Sequence, residues 1–281
     1  MPLTTHETAE VDAANLSEKQ PVVFVHGLWL LSSSWDRWRQ LFEGAGYATL
    51  APGWPDDPDT VTEARANPDA FAHKMVRAVT DHYLEAIGGL RRKPAVVGHS
   101  FGGLIAQKIA GEGASACTVA IDPAPGRGVL PLPVSALKSG SPVLGNPANA
   151  RRSVTLTFEE FLYGWANALE ADEAKALYDE YHVAASGVPI FQAAVANLNP
   201  FSETRVKFKA EDRGPILIVS GEKDHTVPHA IAHAAYKKHT KNPGVTEFVE
   251  MPNRGHSLTI DHGWQEVAQT SLDFIARFCP A

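Results

Sequence analysis

The stretch Val96-Val97-Gly98-His99-Ser100-Phe101-Gly102-Gly103 decides the fold class of this chain of 281 residues. Apolar β-branched residues precede it and a helical pattern follows it, so the pattern predicts a strand, a sharp corner at Ser100 and a helix. Glycines two positions either side of Ser100 allow the strand and the helix to approach closely. Such a corner exposes the serine hydroxyl at the edge of a sheet and directs the Phe101 N–H toward the group that the serine attacks.

Short apolar runs alternate with longer helical patterns along the whole chain, which is typical of a parallel sheet covered by helices on both faces. The predicted strands are Pro21–His26, Ala48–Ala51, Ala95–His99, Thr118–Asp122, Ile216–Ser220 and Thr246–Glu250. The predicted helices include Ser33–Gly44, Ala70–Ile87, Gly102–Ala110, Ala230–His239 and Gln265–Phe278. We therefore predict an α/β fold with a mostly parallel, twisted sheet.

The chain between the fourth and fifth predicted strands has a different character. It opens with prolines and glycines, and the helical patterns that follow contain nothing strand-like. These patterns cover Thr157–Glu170, Ala171–Tyr181 and Pro189–Asn197. We predict that residues 126–213 form a helical cap, inserted into a core made of residues 20–125 and 214–281. Residues 1–19 are polar and acidic, and we expect a flexible lead-in rather than a secretory signal.

Composition excludes several classes of partner. The net charge of −7 disfavours nucleic acid and anionic membranes. No apolar run approaches the roughly 18–20 residues of a membrane span, so the expected partner is a small molecule and not a membrane. Cys117 and Cys279 form no disulfide framework, which favours a cytoplasmic location. No nucleotide-phosphate loop or flavin motif is present, so no cofactor is implied, and the oligomeric state cannot be read from the sequence.

Ser100 needs a base because a serine hydroxyl is a poor nucleophile at neutral pH. Asp224 and His256 each follow a predicted strand downstream of Ser100. His256 is the candidate base, and Asp224 is the candidate acid that orients its imidazole. Asp122, at the end of the strand after the corner helix, is a rival for the role of the acid. Asp261 is a weaker rival, more consistent with a residue at the start of a helix.

The first predicted strand leads directly into His26-Gly27-Leu28-Trp29. A loop at this point can offer a second backbone N–H, that of Leu28, which would complete an oxyanion hole with Phe101. We interpret His26 as a structural residue that holds this loop, and His99 as a residue that packs sideways beside Ser100.

Four motifs together resemble the α/β-hydrolase family, in the branch with a helical cap after the sixth strand. They are His26-Gly27, Gly98–Gly102, Asp224 with Val227-Pro228, and Gly255-His256, and they occur in family order across residues 20–279. Because only a short polar stretch precedes Pro21, we expect the first two strands of larger members to be absent here. The resemblance implies a serine hydrolase that cleaves carboxylic esters or lactones through an acyl-enzyme. Carbon–carbon bond hydrolysis, hydroxynitrile lyase chemistry, perhydrolysis and a small-molecule receptor remain alternatives.

Aromatic side chains supply the candidates for substrate binding. Trp29 and Trp54 follow strand ends at the edge where Ser100 is expected, while others belong to the predicted cap. An apolar, aromatic pocket is the expectation. The cap candidates are Phe158, Phe161, Trp165 and Phe191.

Three histidines have the spacing of helical metal ligands. His225, His229 and His233 are four residues apart, but the segment passes Pro228 and no carboxylate or cysteine set completes a site. No metal is therefore predicted.

Overall fold

The computed structural model describes residues 2–281. Their fold is a sheet with helices on both faces. Its strands are β1 (Pro21–Val25), β2 (Ala48–Leu50), β3 (Ala95–His99), β4 (Cys117–Ile121), β5 (Ser153–Val154), β6 (Ala185–Ser186), β7 (Ile216–Gly221) and β8 (Thr246–Met251). Its α-helices are α1 (Thr5–Ser17), α2 (Asp36–Gly44), α3 (Val61–Ala66), α4 (Val76–Gly88), α5 (Phe101–Gly111), α6 (Val134–Leu144), α7 (Phe158–Gly164), α8 (Ala171–Tyr181), α9 (Val188–Ala194), α10 (His229–His239) and α11 (Trp264–Phe278). None of the helices within this part of the chain is long and apolar enough to cross a bilayer.

The main sheet has the strand order β2-β1-β3-β4-β7-β8, six strands among residues 2–281, and every neighbouring pair is parallel. The chain steps outward from β1 to β2 and then crosses to β3 on the other side of β1. Ligands of such sheets bind where the strand order reverses, outside the carboxyl ends of the strands. Here that point lies between β1 and β3, directly before Gly27 and Ser100. The predicted α/β fold class is confirmed.

Each central strand contributes side chains to two cores because successive residues point to opposite faces. In β1, Val22 and Phe24 pack with α2 and α11, while Val23 and Val25 pack with α4 and α5. The strands are therefore continuous apolar runs, as expected for parallel strands covered on both sides. This double burial holds the strand ends that carry the candidate site.

Residues 5–17 form a helix, which corrects the flexible lead-in predicted for residues 1–19. A capping box begins α1, in which the Thr4 hydroxyl accepts the Glu7 N–H and the Glu7 carboxylate accepts the Thr4 N–H. Val11 and Ala14 are buried in the core on the α4 side, and Glu7 bonds to His82 of α4. The helix is held by contacts with residues far along the chain, which the local sequence does not reveal.

The segment between β4 and β7 contains α6 to α9 and also a short antiparallel pair, β5 with β6. This pair corrects the expectation that nothing strand-like interrupts the insertion, although each strand is only two residues long. The segment is tied to the loop after β1, because Trp29 Nε1 donates to the Val154 carbonyl and Val183 N–H donates to the Trp29 carbonyl. It therefore lies over the carboxyl ends of β1 and β3.

Candidate active site

Ser100 occupies a strained corner between β3 and α5. Its backbone has φ 57° and ψ −122°, a conformation that residues with a side chain rarely adopt. The flanking glycines are required by space: a Cβ on Gly98 would lie 2.1 Å from the Gly102 carbonyl oxygen, and one on Gly102 would lie 2.0 Å from the Val25 carbonyl oxygen. The predicted strand, corner and helix are all present at these positions.

The loop after β1 lies directly against Ser100. A Cβ on Gly27 would be 2.8 Å from the Ser100 Cβ and 3.5 Å from its Oγ, so only glycine allows this approach. Leu28 follows in the same loop, and Phe101 begins α5, so its N–H lies in the first turn, where helix N–H groups have no partner within the helix. The loop that carries Leu28 thus packs against Ser100, and Phe101 follows Ser100 directly in the chain.

His26 holds this loop through its ring, as predicted. Its Nδ1 lies 2.8 Å from the Gly27 carbonyl oxygen and its Nε2 lies 3.3 Å from Asp57. The Trp54 ring packs 5.7 Å from the His26 ring, and its Nε1 donates to the His26 carbonyl. His26 is buried behind the loop, and a role in positioning follows.

His256 and Asp224 form a buried pair at the carboxyl ends of β8 and β7. His256 Nδ1 lies 2.6 Å from Asp224 Oδ2, and both side chains are fully buried. Asp224 Oδ1 accepts the backbone N–H groups of Thr226 and Val227 at 2.6 and 2.9 Å. These bonds fix the carboxylate so that it holds the imidazole by one nitrogen and leaves the other free for chemistry.

The second nitrogen of that imidazole is buried and unpaired in the described part of the chain. Within residues 2–281, His256 Nε2 has no hydrogen-bond partner. The His256 ring lies 4.7 Å from the ring of His99, the residue before Ser100. Catalytic hydrogen bonds are often long before substrate binds, so the open Nε2 is compatible with a base that engages Ser100 during reaction.

The two rival acids occupy different environments. Asp122 Oδ1 accepts the Gly221 N–H at 2.8 Å, whereas its Oδ2 is buried without a hydrogen-bond partner in the described part of the chain. Burial, and then the neighbouring charge of Asp224, raise the pKa of Asp122 well above its ordinary value. Asp261 forms an ion pair with Arg254 and accepts the Gly263 N–H just before α11. Neither rival makes the bond to His256 Nδ1 that Asp224 makes.

Within residues 2–281, His99, Asp122 and His256 lie close enough together to hold a metal ion. One donor atom from each lies within 4.8 Å of the other two, and all three are buried. Burial, and then the charge of His256, lower the pKa of His99 well below its ordinary value. His256 belongs both to this cluster and to the pair with Asp224, so the cluster coincides with the candidate acid–base groups. Of the other histidines, His225 bonds to the Tyr163 carbonyl and His229 pairs with Glu250.

An apolar cavity of about 230 Å³ opens onto Ser100. Its walls come from the loop after β1, from α6 and α9 of the inserted segment, and from residues before and in α10. Leu137, Leu144 and Ile190 line it, and the sequence analysis missed all three. Val134, Leu137 and Leu144 of α6 are separated by three and then seven residues, the spacing of one helix face, and this signal could have found Leu137 and Leu144.

The six predicted aromatic contacts are placed differently from one another. Among the described residues, Trp29 is the one of the six that lines this cavity. Trp165 instead packs edge-on against His256, with ring centroids 4.6 Å apart, and Phe161 stacks behind it. Phe158 and Phe191 pack against the core, Phe158 with its ring against Tyr178.

Trp54 is corrected as a contact of the Ser100 cavity. It lines a second, more polar cavity of about 380 Å³ together with Asp57 and His82. Ser100, Asp224 and His256 do not line this second cavity. The reason is the packing of Trp54 against His26, which turns the ring to the far side of the β1 loop.

Comparison with known proteins places the chain in a family. The model of the alpha/beta hydrolase family matches residues 22–270, and the chain belongs to this family. The resemblance expected from the four motifs is therefore confirmed. None of the curated proteins compared with this chain gives a significant match.

Solved structures show the same fold at low sequence identity. Monoacylglycerol lipase from Paleococcus ferrophilus is 22% identical, with a TM-score of 0.63 over 92% of this chain and 94% of that chain. The putative non-heme bromoperoxidase BpoC from Mycobacterium tuberculosis is 17% identical, with a TM-score of 0.67 over 92% of each chain. A thermophilic esterase from Thermogutta terrifontis is 17% identical, with a TM-score of 0.61 over 92% of this chain and 90% of that chain.

Proposed function

We propose that this protein is a serine hydrolase that cleaves carboxylic esters or lactones with an apolar or aromatic group. One observation carries the proposal: Ser100 stands in a strained corner at an apolar cavity, and the ring of the preceding residue, His99, packs against a buried His256 that is paired with Asp224 and whose second nitrogen is open. A lipase and an esterase among proteins of similar fold are consistent with it.

The first half of the reaction forms an acyl-enzyme. Ser100 Oγ attacks the carbonyl carbon while His256 Nε2 takes the hydroxyl proton. The N–H groups of Phe101 and Leu28 stabilise the negative charge on the carbonyl oxygen. His256 then gives its proton to the leaving oxygen as the bond between carbonyl carbon and that oxygen breaks.

Water completes the cycle on the same groups. His256 takes a proton from water, the hydroxide attacks the acyl carbon, and the proton returns to Ser100 Oγ as the acid leaves. Asp224 holds the imidazole in one tautomer and stabilises its charged form in both halves. Burial of the pair strengthens these interactions because little water competes with them.

The cavity supports the substrate class. Its walls are largely apolar side chains, so they favour an alkyl or aromatic group of the ester and offer little to a charged one. A volume of about 230 Å³ fits one such group beside the reacting carbonyl.

Hydrolysis of para-nitrophenyl esters of increasing acyl length tests the proposal. Replacement of Ser100 by Ala should lower kcat by about 10⁴–10⁶-fold, because the nucleophile is lost while the fold is kept. The matched control is Ser220→Ala, since the Ser220 hydroxyl is buried in β7 without a hydrogen-bond partner among the described residues.

A fluorophosphonate reagent provides a second readout. It should label wild type and Ser220→Ala at Ser100, and mass spectrometry of the labelled peptide locates the adduct. Ester hydrolysis by Ser100→Ala at the wild-type rate would refute the mechanism. Tight binding of an ester without turnover by the wild type would favour a receptor of this fold instead.

A further inference from the structure

An unusual concentration of exposed apolar side chains surrounds the opening of the Ser100 cavity. Seven of the ten exposed large hydrophobic residues within residues 2–281 belong to two segments of the insertion. We call this set the apolar rim, and its members are between 44% and 88% exposed. The apolar rim consists of Leu130, Leu132, Val134, Leu137, Val195, Leu198 and Phe201.

Hydrogen bonds hold the two segments side by side. The Gly128 N–H donates to the Asn197 side chain, which in turn donates to the Val129 carbonyl. Arg127 Nε donates to the Asn199 carbonyl. Leu130 and Leu198 therefore belong to one surface, although 68 residues separate them in the sequence.

The apolar rim is continuous with the cavity. Leu130, Leu132 and Leu137 line the cavity and are also exposed, so its apolar wall runs outward onto the surface. A monomeric protein rarely exposes a large apolar patch without a binding partner for it. A partner at this place must bury the rim and still allow small apolar molecules to reach Ser100.

The local charge of this region differs from that of the whole chain. The chain carries 32 acidic residues, yet none lies between positions 123 and 158, where four basic residues occur. Positions 188–202 hold no Asp, Glu, Lys or Arg. No carboxylate of these stretches would repel lipid phosphates, and Arg127 and Lys138 could attract them.

Proline also suits this segment to an apolar medium. Pro131 and Pro133 separate Leu130, Leu132 and Val134, and a proline has no N–H to leave unpaired. An N–H group without a hydrogen-bond partner raises the free energy of a segment in lipid. Because two residues of this segment have no N–H, fewer backbone groups would be left unpaired when its leucines enter lipid.

We propose that the apolar rim docks on the surface of a phospholipid bilayer and that substrates with long apolar chains reach Ser100 from there. A bilayer buries the rim and supplies apolar molecules at the cavity opening, whereas a second copy of the chain would cover that opening. For the substrates we rely on the proposed function; the docking itself needs no turnover. This differs from the expectation of no membrane partner, which was based on the net charge of the whole chain.

Flotation with phosphatidylcholine vesicles tests the docking, with Ser100→Ala as the starting protein so that catalysis plays no part. Ser100→Ala should float with the vesicles. Adding Leu198→Glu and Phe201→Glu should reduce the bound fraction by about tenfold or more, because two apolar contacts are replaced by charges. Neither residue lines the cavity, and both are over 80% exposed, so folding is not at risk. The matched control is Leu16→Glu on α1, a leucine that is 80% exposed outside the rim.

Each other result overturns the docking. Ser100→Ala could fail to float, or the rim variant could float as well as the Leu16→Glu control. A dimer in solution that the rim variant dissociates, without flotation, would assign the rim to a second copy of the chain.

Hydrolysis separates this proposal from the proposed function. In the active protein, Leu198→Glu with Phe201→Glu should lower hydrolysis of a long-chain ester embedded in vesicles about tenfold and leave a short soluble ester unaffected. Equal loss on both esters would overturn the delivery of substrate from the bilayer. If the wild type hydrolyses neither ester, the proposed function fails while the flotation result stands.

Discussion

Asp224 and Asp122 show how two buried carboxyl groups a few ångströms from one histidine acquire different roles. Asp224 accepts two backbone N–H groups and bonds to His256 Nδ1, so its carboxylate is held in the position that orients the imidazole. Asp122 accepts one N–H, and burial together with the charge of Asp224 raises its pKa. The raised pKa favours the neutral form of Asp122.

Exchange of each acid for its amide should separate these roles. Asp224→Asn should lower kcat for an ester substrate by about 10⁴-fold, because the amide no longer holds the required imidazole tautomer. Asp122→Asn should change kcat by less than about tenfold, since an amide resembles a neutral carboxyl group in shape. Steady-state kinetics at pH 7 measures both, and a larger loss in Asp122→Asn than in Asp224→Asn would reverse the assignment.

At the scale of elements, the sequence predicted the parts whose signal is local. The central strands β1, β3, β4 and β7 are largely apolar and buried, and the corner at Ser100 carries its own glycines, so both were predictable. The helix α1 was not, because its burial depends on partners far along the chain, such as His82 for Glu7. Trp54 was misplaced for a related reason: its position after β2 was evident, but the direction of its ring depends on His26.

The packing of α1 is measurable by one substitution. Val11 is buried against the α4 side of the core, so Val11→Ala should lower the free energy of unfolding by about 1–3 kcal/mol. Leu16→Ala on the exposed side of the same helix is the control and should stay within about 0.5 kcal/mol of wild type. Urea unfolding followed by circular dichroism measures both, and an unaffected Val11→Ala would show that α1 does not stabilise the fold.

At the scale of the whole molecule, buried histidines link stability to pH. Burial, and then the nearby charges of Arg65 and Arg213, lower the pKa of His182 and of His239 to about 3 in each case. In the unfolded chain a histidine has its ordinary pKa of about 6.5. The unfolded state therefore binds more protons than the folded state between about pH 6.5 and about pH 3, and folding stability falls as the pH decreases through that range.

Each such histidine should lower the free energy of unfolding by roughly 1 kcal/mol for every unit by which the pH falls within that range. His239→Gln should flatten the decrease by that amount, because glutamine does not titrate and can still bond to Gln107. Urea unfolding at intervals from pH 8 to pH 4 tests this. Between pH 8 and pH 7 this histidine is mostly neutral in both states and contributes little slope. An unchanged slope at lower pH in the variant would contradict the linkage.

The edge strands of the sheet are β2 and β8, and each is protected against pairing with a strand of another molecule. At one edge, α1 lies beside β2, and Glu10 accepts the Ala51 N–H just past the end of that strand. At the other, β8 carries Glu247 and Glu250, and Glu247 is bound to Arg277. Charges and covered backbone groups at edge strands oppose edge-to-edge aggregation. The helix that packs against the core thus also helps to keep a parallel sheet from growing into its neighbours.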